Sequence, residues 1–318
     1  METVADLIPP GLAAQLERVD LLSRKMLRGT LPGERRSKRR GRSVEFDDFR
    51  EYVPGDDPRH IDWNALARLD RLMVKLFREE EDLALHLIVD LSASMATGKP
   101  SKLVFAARLA AALADVALAN QNRVSISAFG AMGSETLASL RGRRSMARVV
   151  AFLIAEARVR SGERATGAVG TGMYNALRSA LTVGGRGMAR GVVFVISDFV
   201  DWREMSVGAQ NLLSAATLDG RVDAHAVRVV SPSEEDPTVD RDAGLLRAVA
   251  LTDVETGRMV ETVMTDEVVE AYRRARGSEL KSWAGWCAAA GVGSVVARSD
   301  GDVGEMILAT LRRRGVVG

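Results

Sequence analysis

Three observations predict an α/β fold built on a doubly wound, mostly parallel sheet. Strand-like and helical segments alternate through most of the chain, the pattern of strand–helix–strand units. The stretch "GVVFVISDF" at 191–199 is an almost uninterrupted apolar run, the mark of a strand covered on both faces. Aromatics make up 5% of the 318 residues while hydrophobic residues make up 47%, a balance that disfavours a β-sandwich. The expected architecture includes an antiparallel edge strand and an N-terminal extension.

Taken in order, residues 11–28 form an amphipathic helix, with Leu12, Leu16, Val19 and Leu22 spaced at three to four. Residues 33–42, "GERRSKRRGR", carry six basic side chains and no apolar period. "LMVKLF" (72–77) and "LALHLIVD" (83–90) read as an antiparallel hairpin around the acidic turn "REEED". Helices follow over 102–120, 145–157, 171–181, 205–219 and 266–290. Strands are expected at 123–129, 191–198, 223–230 and 293–299, with a helix closing the chain. "LRAVALTDVETGRMVETV" (246–263) suits a hairpin around Glu255-Thr256-Gly257. The resulting division is an N-terminal extension over 1–80, containing the basic segment 35–42, and an α/β domain over 81–318 with a hairpin insertion near 244–264. The apolar residues of 43–80 are too few for a separate core, so that segment is expected to pack on the α/β domain.

Lys and Arg number 44 against 42 Asp and Glu, so net charge points to no polyanionic partner. Cys287 is the one cysteine, which excludes disulfides and thiolate zinc clusters and fits a reducing compartment. The first twenty residues lack a basic start and an apolar signal core. The most apolar helical stretch, 103–119, carries Arg108 and Asp115. A soluble cytoplasmic protein is the expectation.

The informative motif is "HLIVDLSASMATG" (86–98), where a buried strand gives way to Asp90, Ser92 and Ser94 at alternate positions. In a doubly wound sheet, ligands bind in the crevice outside the carboxyl ends of the strands. Asp198 ends a second strand at that edge, and Thr171 stands at the start of the helix over 171–181. Magnesium takes about six oxygens at roughly 2.0–2.1 Å and keeps part of its water shell. Two carboxylates and three hydroxyls supply hard donors without filling every position. Asp90, Ser92, Ser94, Thr171 and Asp198 are therefore the candidate ligands for Mg²⁺, with Mn²⁺ or Ca²⁺ as alternatives. An acidic side chain of a partner could complete the shell.

"DLSASM" with the distant Thr171 and Asp198 resembles the metal-ion-dependent adhesion site of von Willebrand factor A-like domains. More narrowly, the chain is similar to the bacterial domain-of-unknown-function family fifty-eight. The residues that carry this run from Arg39 to Glu81, with Glu45-Phe46, Arg50-Glu51-Tyr52, Gly55-Asp56-Asp57 and Ile61-Asp62-Trp63 in series. "LIVDLSASM", "ISDF", "VETGR" and "LATLRRRG" extend the likeness over nearly the whole chain. The segment "SPSEEDP" (231–237) departs from the family's more usual Asp-Pro-x-Glu, which weighs against a role for that loop. The resemblance implies a cation-dependent interaction module. Such proteins are associated with MoxR-type AAA+ ATPases in the maturation or metallation of client proteins, and relatives occur among methanol dehydrogenase accessory proteins.

Other motifs carry less. "GAVGTG" (167–172) follows no predicted strand, and "ATGKPSK" (96–102) lacks the spacing of a phosphate loop. The basic run at 35–42 lacks interleaved aromatics for stacking on bases, so a nucleic-acid binder remains an alternative on charge alone. His60 and Trp63 read as packing residues, His86 as a sheet residue and Cys287 as buried and inert. No complete catalytic constellation is visible, and the expectation is a non-enzyme. The enzymatic alternative is a metal-dependent phosphatase using Asp90; against it, position 92 is Ser and no His or Lys is placed nearby by sequence.

Overall fold

A computed structural model describes residues 7–22, 44–54, 56–79, 83–130, 133–160, 169–181, 191–200, 202–203, 207–218, 220, 222–239, 248–252 and 258–318. The chain divides into two compact units, Leu31–Asp82 and the combination of Met1–Thr30 with Leu83–Gly318. Helix α1 (Pro10–Leu16) begins with proline at its first position, where the missing N–H costs nothing. It stops well short of the helix expected to residue 28. The chain turns instead to pair Leu21 with Val317, which buries Val19 and Leu21.

The smaller unit holds an antiparallel pair, β1 (Val44–Glu51) and β2 (Met73–Glu79), with helix α2 (Trp63–Leu69) between them in sequence. Its acidic series is structural. Asp56 takes a 2.7 Å ion pair from Arg50 and a 3.1 Å hydrogen bond from the Val53 N–H, while Asp62 caps α2 by accepting from the Asn64 and Ala65 N–H groups. Trp63, expected to be packed, is exposed, and the side chain of His60 lies outside the described residues. The basic segment 35–42 also lies outside them.

The larger unit continues through β3 (Ala84–Asp90), α3 (Lys102–Ala119), β4 (Arg123–Gly130), β5 (Gly133–Leu140), α4 (Met146–Arg160) and α5 (Val169–Leu181). Then follow β6 (Gly191–Ser197), α6 (Val207–Leu218), β7 (Val222–Val230), the single turn α7 (Pro232–Glu235), and a hairpin of β8 (Ala248–Thr252) and β9 (Met259–Val263). Helix α8 (Asp266–Ala289), β10 (Gly293–Arg298) and α9 (Val303–Glu305), which runs on into a wider turn, complete it. The main sheet has six strands in the order β10-β7-β6-β3-β4-β5; all neighbours are parallel except β4 and β5. This is the doubly wound, mostly parallel sheet with an antiparallel edge.

Two pairings differ from expectation. Strand β2 pairs with β1 and not with β3, because β3 is flanked on both sides by parallel strands and has no free edge. The antiparallel edge is β5, "GSETLASL", whose half-polar composition hides it. Alternation along β3 sends Leu85, Leu87 and Val89 into one core with α3 and α4, and Ile88 into another with α5, α6 and α8. Fourteen of the eighteen residues of α3 are buried, consistent with its run of alanines, which lets the helix approach the sheet closely. Cys287 is buried in the second core, and burial pushes its thiol up to about 12, so it is unreactive.

His86 sits inside β3 with Nδ1 2.6 Å from the Ser125 hydroxyl. Burial, and secondarily the positive charge of Arg123, lowers its pKa to about 4. The unfolded chain binds a proton between roughly pH 6.5 and 4 that the folded chain refuses. The stabilisation is therefore complete above about pH 6.5 and lost as pH falls towards 4, to the extent of ~3 kcal/mol. Urea unfolding at pH 7 and 4.5 should show a smaller loss on acidification for His86→Gln than for the wild type; equal losses would refute this assignment.

Candidate functional site

In the larger unit the chain runs from β3 to β4 and β5 on one side, then returns to lay β6, β7 and β10 on the other. The order reverses between β3 and β6, so the crevice outside their carboxyl ends is the topological switch point. Asp90 ends β3, Ser197 ends β6 and Asp198 follows it directly, all three buried.

The Asp90 carboxylate accepts from the Ser92 N–H at 2.9 Å and from the Ser197 hydroxyl at 2.6 Å. Ser197 Oγ in turn accepts from the Phe199 N–H at 3.0 Å. Phe199 holds a left-handed conformation (φ 49°), uncommon for a bulky residue, and is braced by its ring 5.4 Å from that of Trp283. This sharp turn follows directly on Asp198. On the other loop, Ser92 starts the short 3₁₀ turn Ala93–Ala96, with the Ser92 and Ser94 hydroxyls 3.1 Å apart. Alternate spacing thus puts the two hydroxyls together, as the sequence suggests.

Thr171 is the third residue of α5, not the residue preceding it, and its side chain lies outside the described residues. Its neighbour Gly172 has to be a glycine: a Cβ there would lie 2.8 Å from the Gly130 carbonyl oxygen. Gly130 in turn lies against Ser92, whose Cα would be 3.7 Å from a Cβ at residue 130. The backbone at Thr171 therefore starts its helix at the same sheet edge. Gly172 thus serves close packing of the helix against the end of β4.

Sequence reasoning missed three groups. Ser197 is one. Lys102, the first residue of α3, is buried and donates to Asp198 Oδ2 at 2.9 Å and to Glu234. Glu234 belongs to the loop after β7 that the departure from the family pattern had discounted. It forms a reciprocal capping box with Ser231. The signals were present: a Ser-x-x-Glu at the end of a predicted strand, and a lysine opening the helix after the Asp-x-Ser-x-Ser loop.

The electrostatics are those of crowded negative charge. Asp90 is held above the usual carboxylate range, first by burial and then by the charge of Asp198, with the Ser197 and Ser92 hydrogen bonds offsetting part of the shift. For Lys102, burial works against the charged form, but the Asp198 and Glu234 carboxylates outweigh it and hold the ammonium above its ordinary range. Among the described residues no group of three or more His, Cys, Asp or Glu is placed to hold a metal ion. A cation here would depend on hydroxyl oxygens as well as the two aspartates. That donor set fits a hard divalent ion, and positive charge would relieve the repulsion between buried carboxylates.

Fold and crevice together define an α/β domain with a hydroxyl-and-carboxylate loop cluster at its switch point. The chain belongs to the family described as Protein of unknown function DUF58, whose profile matches residues 48–281. It is 36% identical over 93 residues to the uncharacterized proteins Mb1516 of Mycobacterium bovis and Rv1480 of Mycobacterium tuberculosis. That match spans 29% of this chain and 29% of each relative. Among solved structures, the SpRpn10 VWA domain is similar at 12% identity and a TM-score of 0.34, over 71% of this chain and 94% of that one. The pilus adhesin SpaC of Lactobacillus rhamnosus GG is similar at 11% identity and a TM-score of 0.36, over 76% and 32%. The strand order, not these likenesses, defines the fold. No helix among the described residues is long and apolar enough to cross a membrane.

Ser197→Ala removes the hydroxyl that joins Asp90 to the turn at Phe199 and leaves a buried carboxylate oxygen short of a donor. Loss of about 1–3 kcal/mol in urea unfolding is expected. A loss below a few tenths would show that the hydroxyl is dispensable.

Proposed function

We propose that this protein is a divalent-cation-dependent protein-interaction module, working as an adaptor for a MoxR-type AAA+ ATPase in the maturation or metallation of other proteins. The observation that carries the reading is the loop cluster at the switch point: two buried carboxylates beside two facing serine hydroxyls, in a chain of this family. Asp90, Ser92, Ser94 and Asp198, with Thr171 from the first turn of α5, would hold Mg²⁺ or Mn²⁺. The hydroxyls add no charge, so the ion stays attractive to a carboxylate on a partner. An adaptor of this kind recognises an acidic side chain on the ATPase or its client through the ion. The basic segment 35–42 would add salt-sensitive steering towards such a surface.

Lys102 removes one objection to the phosphatase alternative, since a lysine does lie beside Asp198. What argues against it is Ser92, which stands where a second acid would be needed beside the nucleophile. The interaction reading is therefore preferred.

Two measurements test it. Mg²⁺ or Mn²⁺ should raise the melting temperature of the wild type, by the equivalent of ~2.7 kcal/mol at a hundredfold excess over Kd. Asp90→Asn, which removes a buried repelling charge, should melt higher than the wild type in EDTA and give no metal response. An equal response in both proteins would remove the cation site. Capture of a co-encoded AAA+ ATPase should be lost in EDTA and with Asp198→Ala; capture that survives both would end the adaptor mechanism.

A further inference from the structure

We propose that Lys102 is a tethered counter-cation that competes with the divalent ion for Asp198, and so limits how tightly the ion binds by itself. The inference rests on the cation reading above and assigns a role to a residue outside the ligand set.

Lys102 stands in an unfavourable place for a cation. It is the first residue of α3, where the helix dipole presents positive charge, and its side chain is 1% exposed. An ammonium survives there only because Asp198 and Glu234 flank it. Neither partner is adaptable. Glu234 accepts from the Ser231 N–H through its carboxylate at 3.1 Å, its own N–H donates to Ser231 Oγ at 3.3 Å, and its carbonyl accepts from the Tyr272 hydroxyl at 2.6 Å. Asp198 follows a buried strand and precedes the braced turn at Phe199. The backbone carrying Lys102 is fixed as well: Ser101 caps the helix, and the Ser299 hydroxyl donates to the Pro100 carbonyl at 2.7 Å.

The scaffold therefore holds a positive charge on one oxygen of a candidate ligand. A divalent ion ligated by Asp198 meets that charge directly, or displaces the ammonium onto Glu234 alone. Either course weakens binding of the ion by itself. A carboxylate arriving from a partner offsets the excess positive charge, so ion and acidic partner strengthen each other reciprocally. Lys102 is thus a positioning residue that makes the site respond to the pair and not to the ion alone.

A purely structural role, tying the loops after β3, β6 and β7 together, predicts the opposite sign. Loss of the tie would loosen the ligands and weaken metal binding. The full chain with Lys102→Met separates the two, with MgCl₂ or MnCl₂ alone as titrant and calorimetry and thermal melting as readouts. In EDTA this variant should melt below the wild type, because Asp198 and Glu234 lose their counter-charge. It should bind the metal tighter by on the order of tenfold or more, with a larger metal-induced rise in melting temperature. If Lys102→Met does not fold, Lys102→Gln keeps a donor without the charge and should shift affinity in the same direction. Binding that is unchanged or weaker in the variant, with a responsive wild type, overturns the proposal while leaving the cation site standing. Silence of the wild type and both variants overturns the cation reading and this proposal with it.

Discussion

Asp90 at the end of β3 and Asp198 just after β6 stand at the ends of neighbouring parallel strands, and both are buried. Two carboxylates in that position repel each other and forgo hydration, and the surrounding loops are arranged around containing that charge. Ser197 and the Ser92 N–H attend Asp90, while Lys102 attends Asp198 and is itself shared with Glu234. These donors come from the β3–α3 connection and from the end of β6. Beside the apolar packing of Leu91, Met95 and Phe199, the edge distributes donors among acids that the strand order brings into proximity.

That arrangement costs stability and is more informative for it. An apolar residue at the end of β3 or β6 would extend the all-buried pattern of either strand without penalty. Perturbed acids gathered in a crevice are the feature by which a candidate functional site is recognised. The crevice belongs to the same architecture that positions ligands in other doubly wound sheets, and its donors are oxygen-rich and low in imidazole and thiol. The proposal of a hard ion shared with an acidic partner is built on that lining.

Much of this was legible in the sequence because it depends on local pattern. The all-buried strands β3 and β6 read as apolar runs, and α3 and α8 as long helices with clear starts. The Asp-x-Ser-x-Ser loop announced itself because its hydroxyls alternate immediately after an apolar strand. What was hidden depends on tertiary pairing. Strand β5 is half polar, since it faces solvent along an edge. Strand β1 carries four acidic side chains among eight residues and is defined by its partner, not its composition. Lys102 looked like an ordinary helix-opening residue, and Glu234 like part of a variant loop. Their meaning appears only when residues 96 and 132 positions apart from Lys102 are brought to one ammonium. The exposed Trp63 errs in the other direction: a large aromatic invites a packing role that its own unit does not supply.

The pairing of Leu21 with Val317 has a consequence for how the molecule divides. Leu7, Leu16 and Leu21 belong to the same core as Ile307, Leu311 and Val316, so the larger unit is assembled from two separate stretches of chain. Residues 31–82 are, in topological terms, an insertion between them. A cut made just before β3 would strip several buried aliphatic side chains from that core, at about 1.5–3 kcal/mol each. Excising the insertion and rejoining its ends would spare them, and the entropy of closing a loop changes only slowly with loop length. The sheet unit is therefore a discontinuous domain, and linear numbering is a poor guide to where it can be divided.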